Sequence, residues 1–324
     1  MRKLIVAVVA LGLLAVVATL GVRSFISHVV NPFLATPECV ATAGDDSVTL
    51  TLEQAQNAAL IAAISVERGL PARAATIALA TAYQESKLYN LTTGDRDSLG
   101  LFQQRPSQGW GTEAEVQNPA YATNAFYDAL EQVDGWQDMP VTEAAQAVQR
   151  SAFPDAYADH EADARVLASA LTGWSKAGFT CVTSSEPSAG PTKLLATGLT
   201  KRADRVRREL LAVFGDDLSL GGFEPGGVSS GHSEDSAHYQ GRAVDVFFRP
   251  VTKANRAHGW AVASYLVAQA DRLGIATVIY DAKIWTARRD SEGWRDYDID
   301  TGDADAATRR VLLHRDHVHV DVFE

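Results

Sequence analysis

The chain has 324 residues, of which 46% are hydrophobic and 21% charged, a globular composition too apolar for disorder and long enough for two domains with separate cores. Its 29 Lys and Arg against 40 Asp and Glu leave a net charge of −11, which argues against a nucleic-acid backbone as partner, because phosphate binding needs a basic field. Two cysteines exclude a disulfide-rich scaffold and an all-cysteine zinc module.

The first predicted element is the uncharged run Leu4–Val22, which follows Met1-Arg2-Lys3 and closes at Arg23. Its length matches a transmembrane helix crossing about 30 Å of hydrocarbon, and the two leading basic residues put the N-terminus inside. Residues 1–30 therefore read as a membrane anchor with everything beyond them extracytoplasmic; a cleaved signal peptide is the alternative, and either exports the rest. Export places Cys39 and Cys181 where a pair can close, predicting a disulfide that staples the beginning of a domain to its end; two unpaired thiols are the alternative.

Helical signals dominate residues 39–182. Thr51 and Gln54 form a capping-box pattern before a helix over Leu52–Val66, and Arg73–Leu88 is apolar almost all round, as in a central helix. Further helices are predicted over Ala120–Val133, Thr142–Val148 and Glu161–Leu171, so this domain reads as all-α. The Ser/Pro/Gly stretch 183–192 reads as a linker. In 193–324 a helix over Leu199–Phe214 ends at Gly215 and a long one covers Asn255–Leu273, with strands at Ala243–Phe248, Thr277–Tyr280 and His317–Phe323. That domain reads as α+β.

The strongest chemical signal is His314-Arg-Asp-His317-Val-His319-Val-Asp321. On a strand, His317, His319 and Asp321 share one face and the valines between them the other. Upstream, His238 in a turn-rich loop precedes Asp245 in a strand. Neutral imidazoles plus one carboxylate are the ligand types of a catalytic zinc. The run Ser236-Ala-His238-Tyr-Gln-Gly241-Arg-Ala243-Val-Asp245 with the downstream His317-Val-His319 resembles the D-Ala-D-Ala carboxypeptidase and LAS-type zinc peptidases. That resemblance spans roughly 195–324 and implies a hedgehog/D-Ala-D-Ala peptidase-like fold. It implies His238, Asp245 and His319 as ligands of Zn2+, His317 as stabiliser of the oxyanion and His314 as general base. The arginine that grips a substrate carboxylate is not identified; Arg242 and Arg249 are nearby.

Glu85 lies at the end of the central helix, beside the Gly/Asp-rich loop Gly94-Asp-Arg-Asp-Ser98-Leu-Gly100-Leu-Phe-Gln103. A half-buried carboxyl there suits a general acid, while a surface Glu paired with Lys87 is the bland reading. The Glu-Ser helix end, the Gly-Leu-Phe-Gln segment and the helix from Asn118 through Tyr121 resemble the lysozyme-like lytic transglycosylases over roughly 50–172. The resemblance implies Glu85 as the acid, with Gln103, Ser98 and Tyr121 contacting sugar. A lysozyme-type hydrolase needs a second carboxylate, for which Asp95 and Asp97 are candidates; a transglycosylase needs only Glu85. The usual Tyr-Asn-x-Gly segment is replaced by Ala152-Phe-Pro-Asp-Ala-Tyr157.

Asp159-His160-Glu161 reads as a helix start rather than a metal cluster, and Trp285 and Trp294 as core packing around a hairpin tip at Glu292-Gly293 rather than a sugar platform. Both resemblances imply one polymer, peptidoglycan, with the first domain suited to its glycan strands and the second to its peptide stems. The expectation is a membrane-anchored, extracytoplasmic cell-wall hydrolase. Two alternatives stand beside it: only the zinc peptidase is active and the helical domain binds glycan, or the whole is a non-catalytic wall-binding scaffold.

Overall fold

The computed structural model describes residues 36–184 and 186–324. Strands β1 (Glu38–Ala43) and β2 (Asp46–Leu50) form an antiparallel hairpin, whose turn needs the left-handed backbone that Gly44 adopts at φ 63°. Cys39, Ala41, Val48 and Leu50 bury the alternating face. Helix α1 (Leu52–Glu67) follows at once, its first turn closed by the Thr51–Gln54 capping box. Helix α2 (Ala72–Ser86) is buried along most of its length because alanine and threonine leave room for neighbours to approach. The short α3 (Glu113–Val116) packs on α4 (Pro119–Glu131), and α4, α5 (Val141–Gln149) and α6 (Glu161–Leu171) pack around α2, before β3 (Phe179–Val182) returns to pair with β1.

The all-α reading of this half is thereby corrected. It carries a three-stranded antiparallel sheet in the order β2-β1-β3, and the chain is mixed α/β. Three strands of four to six residues, two of them flush against α1, left too short a period-2 signal beside strong helical periodicity. The expected transmembrane helix 4–22 lies outside the described residues, and among those described no helix is long and apolar enough to cross a membrane. Cys39 and Cys181 face each other across the β1–β3 pair and form a disulfide.

The second half begins with α7 (Lys201–Phe214) and β4 (Leu220–Gly221), then β5 (Ala243–Phe247), α8 (Lys253–Ala268), α9 (Ala270–Leu273), β6 (Ile275–Tyr280), β7 (Lys283–Thr286), β8 (Arg295–Asp296), α10 (Ala306–Leu312) and β9 (His317–Val322). Six strands form one antiparallel sheet, β4-β5-β9-β6-β7-β8, which puts the C-terminal strand beside the first long one. Helix α8 is apolar nearly all round because it is enclosed, packing on this sheet and on α1 of the first half.

Pro37–Glu324 is one compact unit. Gly173 lies so close to α8 that a Cβ would meet the Ala257 carbonyl oxygen at 1.9 Å. Gln269 donates to the Gln56 carbonyl, and the indoles of Trp285 and Trp294 donate to the carbonyls of Cys181 and Phe179 on β3. Both tryptophans thus anchor one half on the other. The stretch after β3 is tied down as well: Thr183 donates to Asp290 and Ser184 to Asp271.

Candidate functional site

The register of β5 against β9 sets Asp245 directly opposite His319 and Phe247 opposite His317. On the reverse face Val244, Val246, Val318 and Val320 fill the core, so the alternation of strand side chains delivers the carboxylate and the imidazoles to one surface. His238 reaches the same point from a 3-10 turn, Ala237–Gln240, capped by Ser236 and ended by Gly241 at φ 64°.

His238 Nε2 lies 3.1 Å from His319 Nδ1, and Asp245 Oδ1 lies 3.3 and 3.2 Å from those two nitrogens. All three residues are buried. The second nitrogen of each ring is spoken for. His238 Nδ1 donates to the Gly222 carbonyl at 2.6 Å, and His319 Nε2 to Asp321 Oδ2 at 3.3 Å. In the tautomers that leave the inward nitrogens unprotonated, three electron-rich atoms converge, an arrangement that a metal cation would reconcile; without one, protonated imidazoles donate to Asp245 instead. Their separations equal the edges of a tetrahedron whose centre lies about 2.0 Å from each corner, the bond length of a small divalent ion to nitrogen or oxygen. Gly222 is integral to the arrangement. At φ 75° a Cβ there would stand 2.3 Å from His238 Cε1 and 2.9 Å from Asp245 Oδ2.

Electrostatics agree that positive charge belongs here. Burial pushes Asp245 up, but hydrogen bonds from His238 and His319 outweigh it and hold the carboxyl well below the usual range. Burial pulls His319 down, and Asp245 with Asp321 more than reverses this, raising it to about 9. A fourth group, His232, stacks on His238 with ring centroids 3.8 Å apart. Ligand atoms of His232, His238 and Asp245 all lie within 4.8 Å of one another, so this group could also hold a metal ion. The two triads share His238 and Asp245.

His317 sits beside this centre. Its Nδ1 donates to Asp316 Oδ1 at 2.9 Å, and Arg249 donates to the other oxygen of Asp316 at 2.7 Å. Burial pushes Asp316 up, yet those two hydrogen bonds bring it down to about 2. His314 occupies a left-handed turn at φ 50°, its ring 4.6 Å from that of His317 and 5.7 Å from that of His319. Burial, then the neighbouring His319 and His317, pull the His314 ring down to about 3, so it is neutral at neutral pH. Arg249 binds Asp316 through Nε, and Arg242 binds Gln240 through Nε and the Val322 carbonyl through Nη1.

In the first half, the Glu85 carboxylate accepts a hydrogen bond from the buried Tyr157 hydroxyl at 2.7 Å. Burial, followed by Glu85 itself, holds that phenol well above its ordinary value, so it stays a donor. Lys87 does not pair with Glu85; its Nζ lies 3.4 Å from His160 Nε2. The helix end and the loop meet through Ser86, whose Oγ donates to the Leu101 carbonyl at 2.7 Å. Gln103 adopts φ 48° and donates to Gly100, while its Oε1 lies over Gly94, where a Cβ would come within 1.9 Å. Ser98 is buried, and the half-exposed Tyr121 leans on Gly111.

Asp97 is bound to Arg105 Nε and to the Ser107 amide at 2.7 and 2.8 Å, which makes it a loop clasp, while the Asp95 side chain is 91% exposed. The cluster at Asp159–Asp163 is a helix start, with His160 packed on Tyr83.

Sequence reasoning missed His232, Asp316, Tyr157 as partner of Glu85, and Gly222. His232 and Asp316 had a readable signal, a histidine six residues before His238 and a carboxylate adjoining His317. Tyr157 and Gly222 had none, because each acts across more than fifteen residues of chain.

Residues 196–308, about a third of the chain, match the family model described as VldE, C-terminal domain. The matched segment contains His232, His238 and Asp245 and ends before His314, His317 and His319. No curated protein matches the chain.

Proposed function

We propose that this chain is an extracytoplasmic, zinc-dependent peptidoglycan hydrolase in which the second half cuts peptide stems and the first half acts on glycan strands through Glu85. The observation that carries the reading is the convergence of His238 Nε2, His319 Nδ1 and Asp245 Oδ1 at 3.1–3.3 Å with both outer ring nitrogens already engaged. Two imidazoles and a carboxylate suit zinc, which His238, Asp245 and His319 would hold. A zinc ion held there supplies Lewis acidity toward a substrate carbonyl and an acidified water.

The protein's own groups do the rest. His317, fixed by Asp316, offers its other nitrogen to the developing oxyanion, and His314 stands beside it as the candidate base. In the first half Glu85, steadied by Tyr157, protonates the glycosidic oxygen. The resemblance of both motif sets to enzymes of one polymer supports the substrate. The Cys39–Cys181 disulfide supports the compartment, since such bonds persist where the surroundings are oxidising.

Muropeptides and intact glycan strands, incubated with zinc-loaded wild type, Glu85→Gln and His319→Ala and resolved by mass spectrometry, test the proposal. Stem cleavage should vanish in His319→Ala alone and glycan cleavage in Glu85→Gln alone. Unchanged glycan products in Glu85→Gln would reduce the first half to a binding module. No product from folded wild type would leave a wall-binding scaffold.

A further inference from the structure

The turn that carries His314 is held by a second turn of its own half, which in turn meets a lysine of the other half. Asp281 and Ala282, both in left-handed backbone at φ 46° and 60°, form the tight turn between β6 and β7. The Asp281 amide donates to the His314 carbonyl at 2.7 Å, and the Ala282 amide to the Leu313 carbonyl at 2.9 Å. On the far side Ala282 accepts from the Tyr297 amide, and the Tyr297 ring meets His314 edge-on at 5.2 Å. The position of His314 is therefore the position of the Asp281-Ala282 turn.

What fixes that turn is a charge. The Asp281 side chain is almost fully buried, and its Oδ2 lies 2.9 Å from Lys176 Nζ but 3.9 Å from Arg256 Nε. Lys176 belongs to the first half, on the loop between α6 and β3, where Ala177 at φ 52° bends the chain toward the second half. Nζ is not aligned as a donor to Oδ2, so the pair is held by Coulomb attraction, and the Asp281 backbone carbonyl takes a second, longer contact from Nζ at 3.5 Å. A carboxylate this buried is costly without a close cation, and Lys176 is the nearer of its two.

We infer that Lys176 of the helical half is a positioning residue for His314, acting through the Asp281-Ala282 turn, so that the peptide-cleaving centre is complete only when both halves are present. This rests on the proposed peptidase reading, in which His314 handles a proton. Lys176 touches neither substrate nor metal ligands. Its loss should loosen the turn and disorder His314 while leaving the triad of His238, Asp245 and His319 intact.

The test uses the full chain with Lys176→Met and Lys176→Arg, reading three quantities. On muropeptides, Lys176→Met should lower kcat on the order of tenfold, the size expected when a supporting partner is removed, with KM and zinc content unchanged. In long-range 1H–15N spectra at fixed pH, the ring resonances of His314 should shift or broaden in Lys176→Met. Lys176→Arg should restore both. Unchanged kcat and an unmoved His314 resonance in Lys176→Met would overturn the inference, as would failure of arginine to rescue. Should wild type leave muropeptides uncut, the peptidase reading fails, while the spectra still decide whether Lys176 holds His314.

Discussion

Replacing Gly222 by alanine separates the proposed metal centre from the fold around it. The added Cβ would lie 2.3 Å from His238 Cε1 and 2.6 Å from its Nδ1. Ordinary contact between such atoms is about 3.5 Å, so the ring must recede by about 1 Å. Zinc sites hold their bond lengths to about 0.2 Å, and the retreat also stretches the hydrogen bond that orients the ring. Zinc affinity should therefore fall by about 100-fold or more, beyond the range for losing an orienting partner alone. The backbone adds its own penalty, because φ 75° costs an alanine about 1–2 kcal/mol. Gly226, at φ 91° with open space where a Cβ would stand, provides the control: Gly226→Ala carries the backbone penalty without the clash. Competition against a chromophoric chelator, with thermal unfolding in parallel, reads both quantities. Equal zinc affinity in Gly222→Ala and Gly226→Ala would refute the placement of His238 on the metal.

Other expectations follow from the same contacts. Cys39→Ser with Cys181→Ser opens a loop spanning a sequence separation of 142. By chain entropy alone this should cost about 5 kcal/mol, so the urea midpoint should drop sharply; an unchanged midpoint would show that β3 is held by packing alone. Tyr157→Phe removes the hydroxyl that donates to Glu85 and should slow the proposed glycan cleavage about tenfold with little change in stability, checked by product release from glycan strands. Asp97 is held far below the ordinary range, first by Ser107 and then by Arg105. A depressed folded value stabilises the loop above the unfolded pKa of about 4 and loses that support as pH falls below it. The protection of the Ser107 amide, its exchange rate compared with the intrinsic rate at the same pH, should be weaker in wild type at pH 3 than at pH 6, whereas Asp97→Asn should remove that contrast.

Much of the architecture could be read from periodicity. The Thr51–Gln54 box starts α1 where expected, Glu161–Leu171 forms α6 with the expected ends, and the alternation through His317–Asp321 is realised as β9. The first-half sheet was hidden because its strands owe their pairing to distant partners. β1 is completed by β3, and β3 in turn by two indoles from the other half. The site shows the same division. Residues sharing a strand face or a short turn were legible, whereas Gly222 acts through backbone approach, Tyr157 on a residue far away in the chain of the same half, and Lys176 across the two halves. The break at 183–192 looks like a linker by composition, but side chains from beyond it fasten Thr183 and Ser184. Composition reports what a segment would do alone, and this one is not alone.

Everything proposed for the second half depends on which atoms hold the metal, because two triads share His238 and Asp245 and differ in His232 or His319. Zinc content and zinc-edge X-ray absorption of the purified chain, compared with His232→Ala and His319→Ala, decide between them. One zinc per chain should be found in wild type and in His232→Ala, with two imidazole nitrogens at about 2.0 Å, and none in His319→Ala. Zinc retained in His319→Ala and lost in His232→Ala would contradict the placement of the metal between His238, Asp245 and His319.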